Sequence, residues 1–262
     1  MKYFTKEWYE LCQKNNIHLH LEEEKQAETF SEEYFQQLYH IELNRKLNSW
    51  RTVQEEANLI LKSNETANRD DDNNYEPFNK EKGIEQFHDI FIHNLMYLKK
   101  QLPETILKQI ADIRVFTLDK ATRKVINAVT QFCEENDRIV TTVIEDYERY
   151  IKENSTLLDI EIDGGCSFRD CKIIKSIKND KSLKLLLDNK GSYTNIDEVI
   201  FENFNIIKQD DLLEDSWWMY EEIYKVNGNY EFHVLLHNET MELIDFIISA
   251  EQISFISNKN NL

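Results

Sequence analysis

Residues 217–237 read WWMYEEIYKVNGNYEFHVLLH. Two runs in which apolar and polar residues alternate flank Asn227-Gly228, a pair suited to the left-handed positions of a two-residue type I′ turn. Such a turn fixes the register of the strands it joins. Glu222 is then expected opposite His233, Tyr224 opposite Glu231, Tyr220 opposite Leu235 and Trp218 opposite His237, all on one face. The other face carries Trp217, Met219, Ile223, Phe232, Val234 and Leu236, with Glu221 as its one polar intruder, and reads as the core side.

Outward from this hairpin the same alternation continues. Strands are expected over Phe168–Ile177, Ser182–Asp188, Val199–Lys208 and Leu243–Phe255, and Leu158-Ile160-Ile162 ahead of Gly164-Gly165 reads as another. Turn residues at Asn179-Asp180 and Asn189-Lys190-Gly191 separate several of them. Six or seven mostly antiparallel strands imply a sheet, sandwich or open barrel.

Before residue 155 the period is helical. Phe4, Trp8, Leu11 and Cys12 share one face after a cap at Thr5. Ile17–Leu21 fits either a short strand or a helix start. Thr29 with Glu32, or Ser31 with the acids after it, begins a helix that runs to about Lys62 on Leu43, Leu47, Trp50, Ala57 and Leu61. A third stretch carries Ile84, Phe87, Phe91, Leu95 and Leu98 up to Pro103, which suits the first turn of the next helix. Asp119 is placed as the cap of another, and Asn136-Asp137 as the break before the last, which carries Val140, Val143, Ile144, Tyr147 and Ile151. The fold class is therefore α+β: a bundle-like helical region over 1–154, with an acidic loop at 63–80, followed by an antiparallel β domain over 155–262.

The 262 residues carry 49 Asp and Glu against 31 Lys and Arg, a net charge of −18, which repels phosphate backbones and anionic membranes. No direct nucleic-acid or membrane partner is expected. The opening residues lack a signal-peptide core, and no window holds the roughly 20 apolar residues that span a bilayer, so a cytoplasmic location is expected. Four cysteines, Cys12, Cys133, Cys166 and Cys171, match no zinc or disulfide framework. Asp70-Asp71-Asp72-Asn73-Asn74 lacks the alternating ligands and central glycine of a calcium loop, and Glu85-x-x-His88 has no second copy to complete a two-metal site. No metal and no cofactor is assigned. His88 reads as a partly buried structural histidine.

Two constellations remain, both on the hairpin. Glu222 and His233, with Glu231 nearby, are candidate acid–base residues, because a carboxylate beside an imidazole raises its pKa towards neutrality; the bland account is an ordinary cross-strand pair. Trp218, Tyr220, Tyr224 and His237 are candidate partner-binding residues, since aromatics on an open sheet face anchor interfaces. The expected function is a protein-binding module. A hydrolase or transferase using the Glu222–His233 pair, and an acidic immunity-like inhibitor of a basic partner, are the alternatives. The oligomeric state is not legible.

The segments MKYFTKEWYE (1–10), IADIRVFTLDKATRKV (110–125), WWMYEEIYKVNGNYEFHVLL (217–236) and LIDFIISAEQISF (243–255) together resemble a family from low-GC Gram-positive bacteria catalogued as domain of unknown function 4085. The resemblance implies a cytosolic bacterial protein and carries no catalytic residue or cofactor onto this chain. Where this chain has Asp119, the family tends to have a nearby glycine.

Overall fold

The computed structural model describes residues 1–64, 77–158 and 168–257. In chain order the elements are α1 (Lys6–Cys12), β1 (Glu22–Glu23), α2 (Glu32–Asn64), α3 (Lys80–Gln101), α4 (Glu104–Leu107), α5 (Ile113–Thr117), β2 (Lys120–Ala121), α6 (Arg123–Leu158), β3 (Lys172–Lys178), β4 (Ser182–Asp188), β5 (Glu198–Glu202), β6 (Asn205–Gln209), β7 (Trp217–Val226), β8 (Asn229–His237), β9 (Leu243–Ala250) and β10 (Gln252–Ile256). The protein is α+β, with helices before residue 159 and an eight-stranded antiparallel sheet after it.

The chain divides into two compact units, Met1–Gln13 with Glu135–Leu262, and Lys14–Glu134. Division by packing therefore differs from the 154/155 division expected from local pattern. The reason is α6: the Asn136-Asp137 break does not occur, and one helix runs from Arg123 to Leu158. Val125, Val129, Cys133, Val140 and Tyr147 keep one face buried, and Asn136 lies on that same face, buried. The capping preference of Asn and Asp yields to an apolar stripe that continues through them.

In the unit holding the sheet, the strand order is β10-β5-β4-β3-β7-β8-β9-β6. β3 and β7 share a single register pair, Lys172 with Trp217, so the sheet folds into two four-stranded halves about that seam. Between them lies a core of Phe168, Ile173, Leu185, Phe201, Trp218, Phe232, Val234, Phe246 and Ile248, all essentially inaccessible. Two expected strands split. The chain turns at Asn203 (φ 47°) between β5 and β6, and at Glu251 between β9 and β10. Asn203 Nδ2 donates to Glu251 Oε2 at 2.7 Å. At both corners the chain passes from one half-sheet to the other while its alternation persists.

The hairpin turn forms as expected, with positive φ at Asn227 and Gly228. Met241, 66% exposed, also sits in the left-handed region at φ 62°, where a side chain costs roughly 1–2 kcal/mol. Met241→Gly is expected to raise stability by about 0.5–1 kcal/mol, seen as a higher urea midpoint at unchanged slope.

In the helical unit, Ser31 caps α2 by accepting from the Tyr34 amide, and Asn79 caps α3 through the Lys82 amide. Phe35, Leu38, Phe87, Phe91, Val115 and Leu118 make one core cluster. Leu102, Ile106, Phe116, Val125, Val129 and Cys133 make another. Asp119 is not a cap. It adopts φ 65°, a turn conformation that favours glycine, and Thr122 accepts from the Val125 amide at the start of α6 instead. Ile17–Leu21 is irregular, and the short strand after it, β1, pairs in parallel with β2. The Asp70–Asn74 run, the strand expected over residues 159–162, Gly164-Gly165 and Cys166 lie outside the described residues.

Candidate functional site

On the hairpin, Glu222 faces His233, Tyr224 faces Glu231 and Tyr220 faces Leu235, as the turn dictates. The register then slips between Trp218 and Tyr220, so that Trp218 pairs with Leu236 and Trp217 with His237. This β-bulge turns every side chain before Tyr220 to the opposite face from the one expected. Trp218 is therefore a core residue, fully buried against Phe168 at 4.8 Å. Its indole Nε1 donates to the buried Glu221 carboxylate at 2.9 Å. Trp217 is the exposed member of the pair.

The remaining face is covered. Phe4, Trp8, Val140, Tyr147, Tyr220 and Leu235 form a buried cluster that closes β7 and β8 under the N-terminal segment and α6. Tyr220 is boxed in by Phe4, Trp8 and Tyr9 rings at 5.4, 4.8 and 6.2 Å. His237 Nδ1 donates to the Met241 carbonyl at 3.0 Å, and Nε2 meets the Tyr9 hydroxyl at 3.2 Å. Trp218, Tyr220 and His237 thus serve the interior, contrary to their expected role as open anchors.

Glu222 has no vacant acceptor position. Its Oε1 receives the Tyr3 and Phe4 amides at 2.7 and 2.6 Å, and its Oε2 receives the Lys2 amide and the Tyr224 hydroxyl at 2.7 and 2.6 Å. Four donors fill the four lone-pair directions of a carboxylate. Burial, and then the bond to Glu222, hold the Tyr224 phenol protonated far above its usual range. His233 turns to Glu231, Nε2 to Oε1 at 2.5 Å, leaving its buried Nδ1 unbonded. Glu222 and His233 are neighbours in register but not a proton-transfer pair. Burial raises the thiols of Cys12, to about 11, and of Cys133 and Cys171. His88 is exposed rather than partly buried and meets the Tyr39 hydroxyl at 3.2 Å.

The helical unit contains a cleft that the sequence did not single out. The β1–β2 bridge, closed by the Glu22 amide on the Asp119 carbonyl at 2.8 Å, brings the two loops together. Glu42, Arg45, Lys46 and Trp50 project from α2 at helical spacing along one side. The cleft has a polar lobe of about 600 Å³ that includes His20, Glu22 and Lys120. An apolar lobe of about 190 Å³ is lined by Trp50, Phe87 and Phe91. Glu42, Arg45, Lys46, Leu118 and Asp119 border both.

Arg45 holds Glu42 through Nε at 2.8 Å, and Lys120 is paired with Glu22. The side chains of Lys46 and Asp119 have no hydrogen bond or ion pair among the described residues. Asp119 is open to the cleft, yet burial by its surroundings raises its carboxyl; Glu42 adds to the rise, while His20, Lys120 and Arg45 oppose it. Asp119 thus stands, in left-handed backbone, on the border shared by the two lobes. Among the described residues no group of three His, Cys, Asp or Glu side chains could hold a metal. No described helix is long and apolar enough to cross a membrane.

Neither the curated proteins nor the solved structures include a match to this chain. A family model does match, over residues 60–247 and so across well over half the chain, and the chain belongs to the family described as "Protein of unknown function (DUF4085)".

Proposed function

We propose that the protein is a binding module whose ligand is a small molecule held in the cleft of the helical unit. One observation carries this reading: a polar lobe and an aromatic lobe meet at Lys46 and Asp119, two charged side chains with no hydrogen bond or ion pair among the described residues. Concave sites that join an apolar floor to a few placed polar groups are the usual form of small-ligand pockets. The expected protein-docking face on β7 and β8 does not support a binding role of its own, because Trp218 and Tyr220 are interior.

The test is a thermal-shift screen of common metabolites against the full chain and against Asn94→Trp. Asn94 is an exposed residue lining the aromatic lobe, so an indole there fills the lobe without entering the core. A ligand at about 100 times its Kd should stabilise the native protein by about 2.7 kcal/mol, a shift of several degrees. Wild-type protein is expected to show such a shift and Asn94→Trp to lose it. Absence of any shift, or equal shifts in both proteins, would overturn the reading.

A further inference from the structure

Taking the cleft as the ligand site, we propose that its ligand is a small zwitterion bearing an apolar ring, the chemistry of an aromatic α-amino acid. The two lobes share Arg45, Lys46 and Asp119 along one border, so one molecule can seat a ring in one lobe and a charged head at the junction. The aromatic lobe, at about 190 Å³, is of the order that accepts a single ring, since an apolar cavity of about 150 Å³ takes up benzene.

The charges at the junction select the head group. Arg45 spends its Nε and Nη2 groups on one oxygen of Glu42. Among the described residues its Nη1 group and the Lys46 ammonium have no bonding partner and can receive a carboxylate, while the Asp119 carboxyl, which has none there either, can receive an ammonium group. A ligand with only a negative charge would face Asp119, and one with only a positive charge would face Arg45 and Lys46. Either mismatch sets a like charge against the ligand and discriminates against it. Glu22 already neutralises Lys120 in the polar lobe, so the selection rests on three side chains.

Calorimetric titration of the full chain near neutral pH with L-phenylalanine, phenylacetate, phenethylamine and glycine tests this. Phenylalanine is expected to bind at least about tenfold tighter than each of the others, because each lacks the ring or one charge. Asp119→Asn, which tolerates the left-handed backbone, should cut the preference over phenylacetate to below about threefold. Lys46→Met, at an exposed helical position, should do the same to the preference over phenethylamine. Equal affinity for phenylalanine and any fragment overturns the proposal, as does the failure of all four to bind. If metabolites still shift wild-type but not Asn94→Trp protein when these four fail, the ligand class is wrong and the cleft reading stands; if the screen fails too, both fall.

Discussion

Trp218→Ala is expected to lower the unfolding free energy by about 3–5 kcal/mol, read from urea denaturation followed by far-ultraviolet circular dichroism. Trp218 is completely buried between the half-sheets, and its removal leaves a void beside Phe168 while withdrawing the indole donor from the Glu221 carboxylate. Trp218→Phe separates the two contributions. It keeps most of the packing and deletes the donor, so its loss should be smaller, about 1–3 kcal/mol. An unchanged midpoint for Trp218→Ala would place the side chain at the surface and remove the bulge from the account.

Glu222→Ala is expected to cost about 3–5 kcal/mol, the range for removing one partner of a buried charged network. Three consecutive backbone amides, from Lys2 to Phe4, lose their acceptor at once, and the Tyr224 hydroxyl loses its own. Phe4 is part of the cluster over Tyr220 and Leu235, so release of the amides loosens packing as well. Glu222→Gln should fall between wild type and Ala, because an amide oxygen can still accept two of the four bonds. A catalytic carboxylate follows another rule: its removal abolishes activity while stability holds or rises.

The contrast between these two positions shows what local pattern can and cannot carry. Asn227-Gly228 fixes the pairing of Glu222 with His233 because turn chemistry sets register over the next few residues. It does not reach past Tyr220, because a single inserted residue reverses the faces and alternation has no mark for it. Unequal strand lengths, ten residues in β7 against nine in β8, are where the bulge surfaces. Its sequence trace is the buried Glu221: a carboxylate on the core side calls for a donor, and the indole of Trp218 is the donor at hand.

Elsewhere the helix-to-strand change was legible because periods of 3.6 and 2 differ over any ten residues. Alternation alone merges β5 with β6, and β9 with β10, because a corner between half-sheets leaves the period intact. The cleft was not legible because His20, Arg45, Phe87 and Asp119 come from four separate segments. Each alone looks like an ordinary surface charge or a core aromatic. Asp119 in particular reads in the sequence as a helix cap rather than a turn residue, whereas its backbone is left-handed at φ 65°.

The most direct test of the account is amide chemical-shift mapping of the full chain titrated with compounds that pass the thermal-shift screen. Perturbations centred on Lys46, Trp50, Phe91 and Asp119, with the amides of Tyr3, Phe4, Glu222 and Tyr224 unmoved, are the predicted result. Perturbations centred on Glu222, Tyr224 and His233, with the cleft residues silent, would contradict it and return the function to the face of β7 and β8.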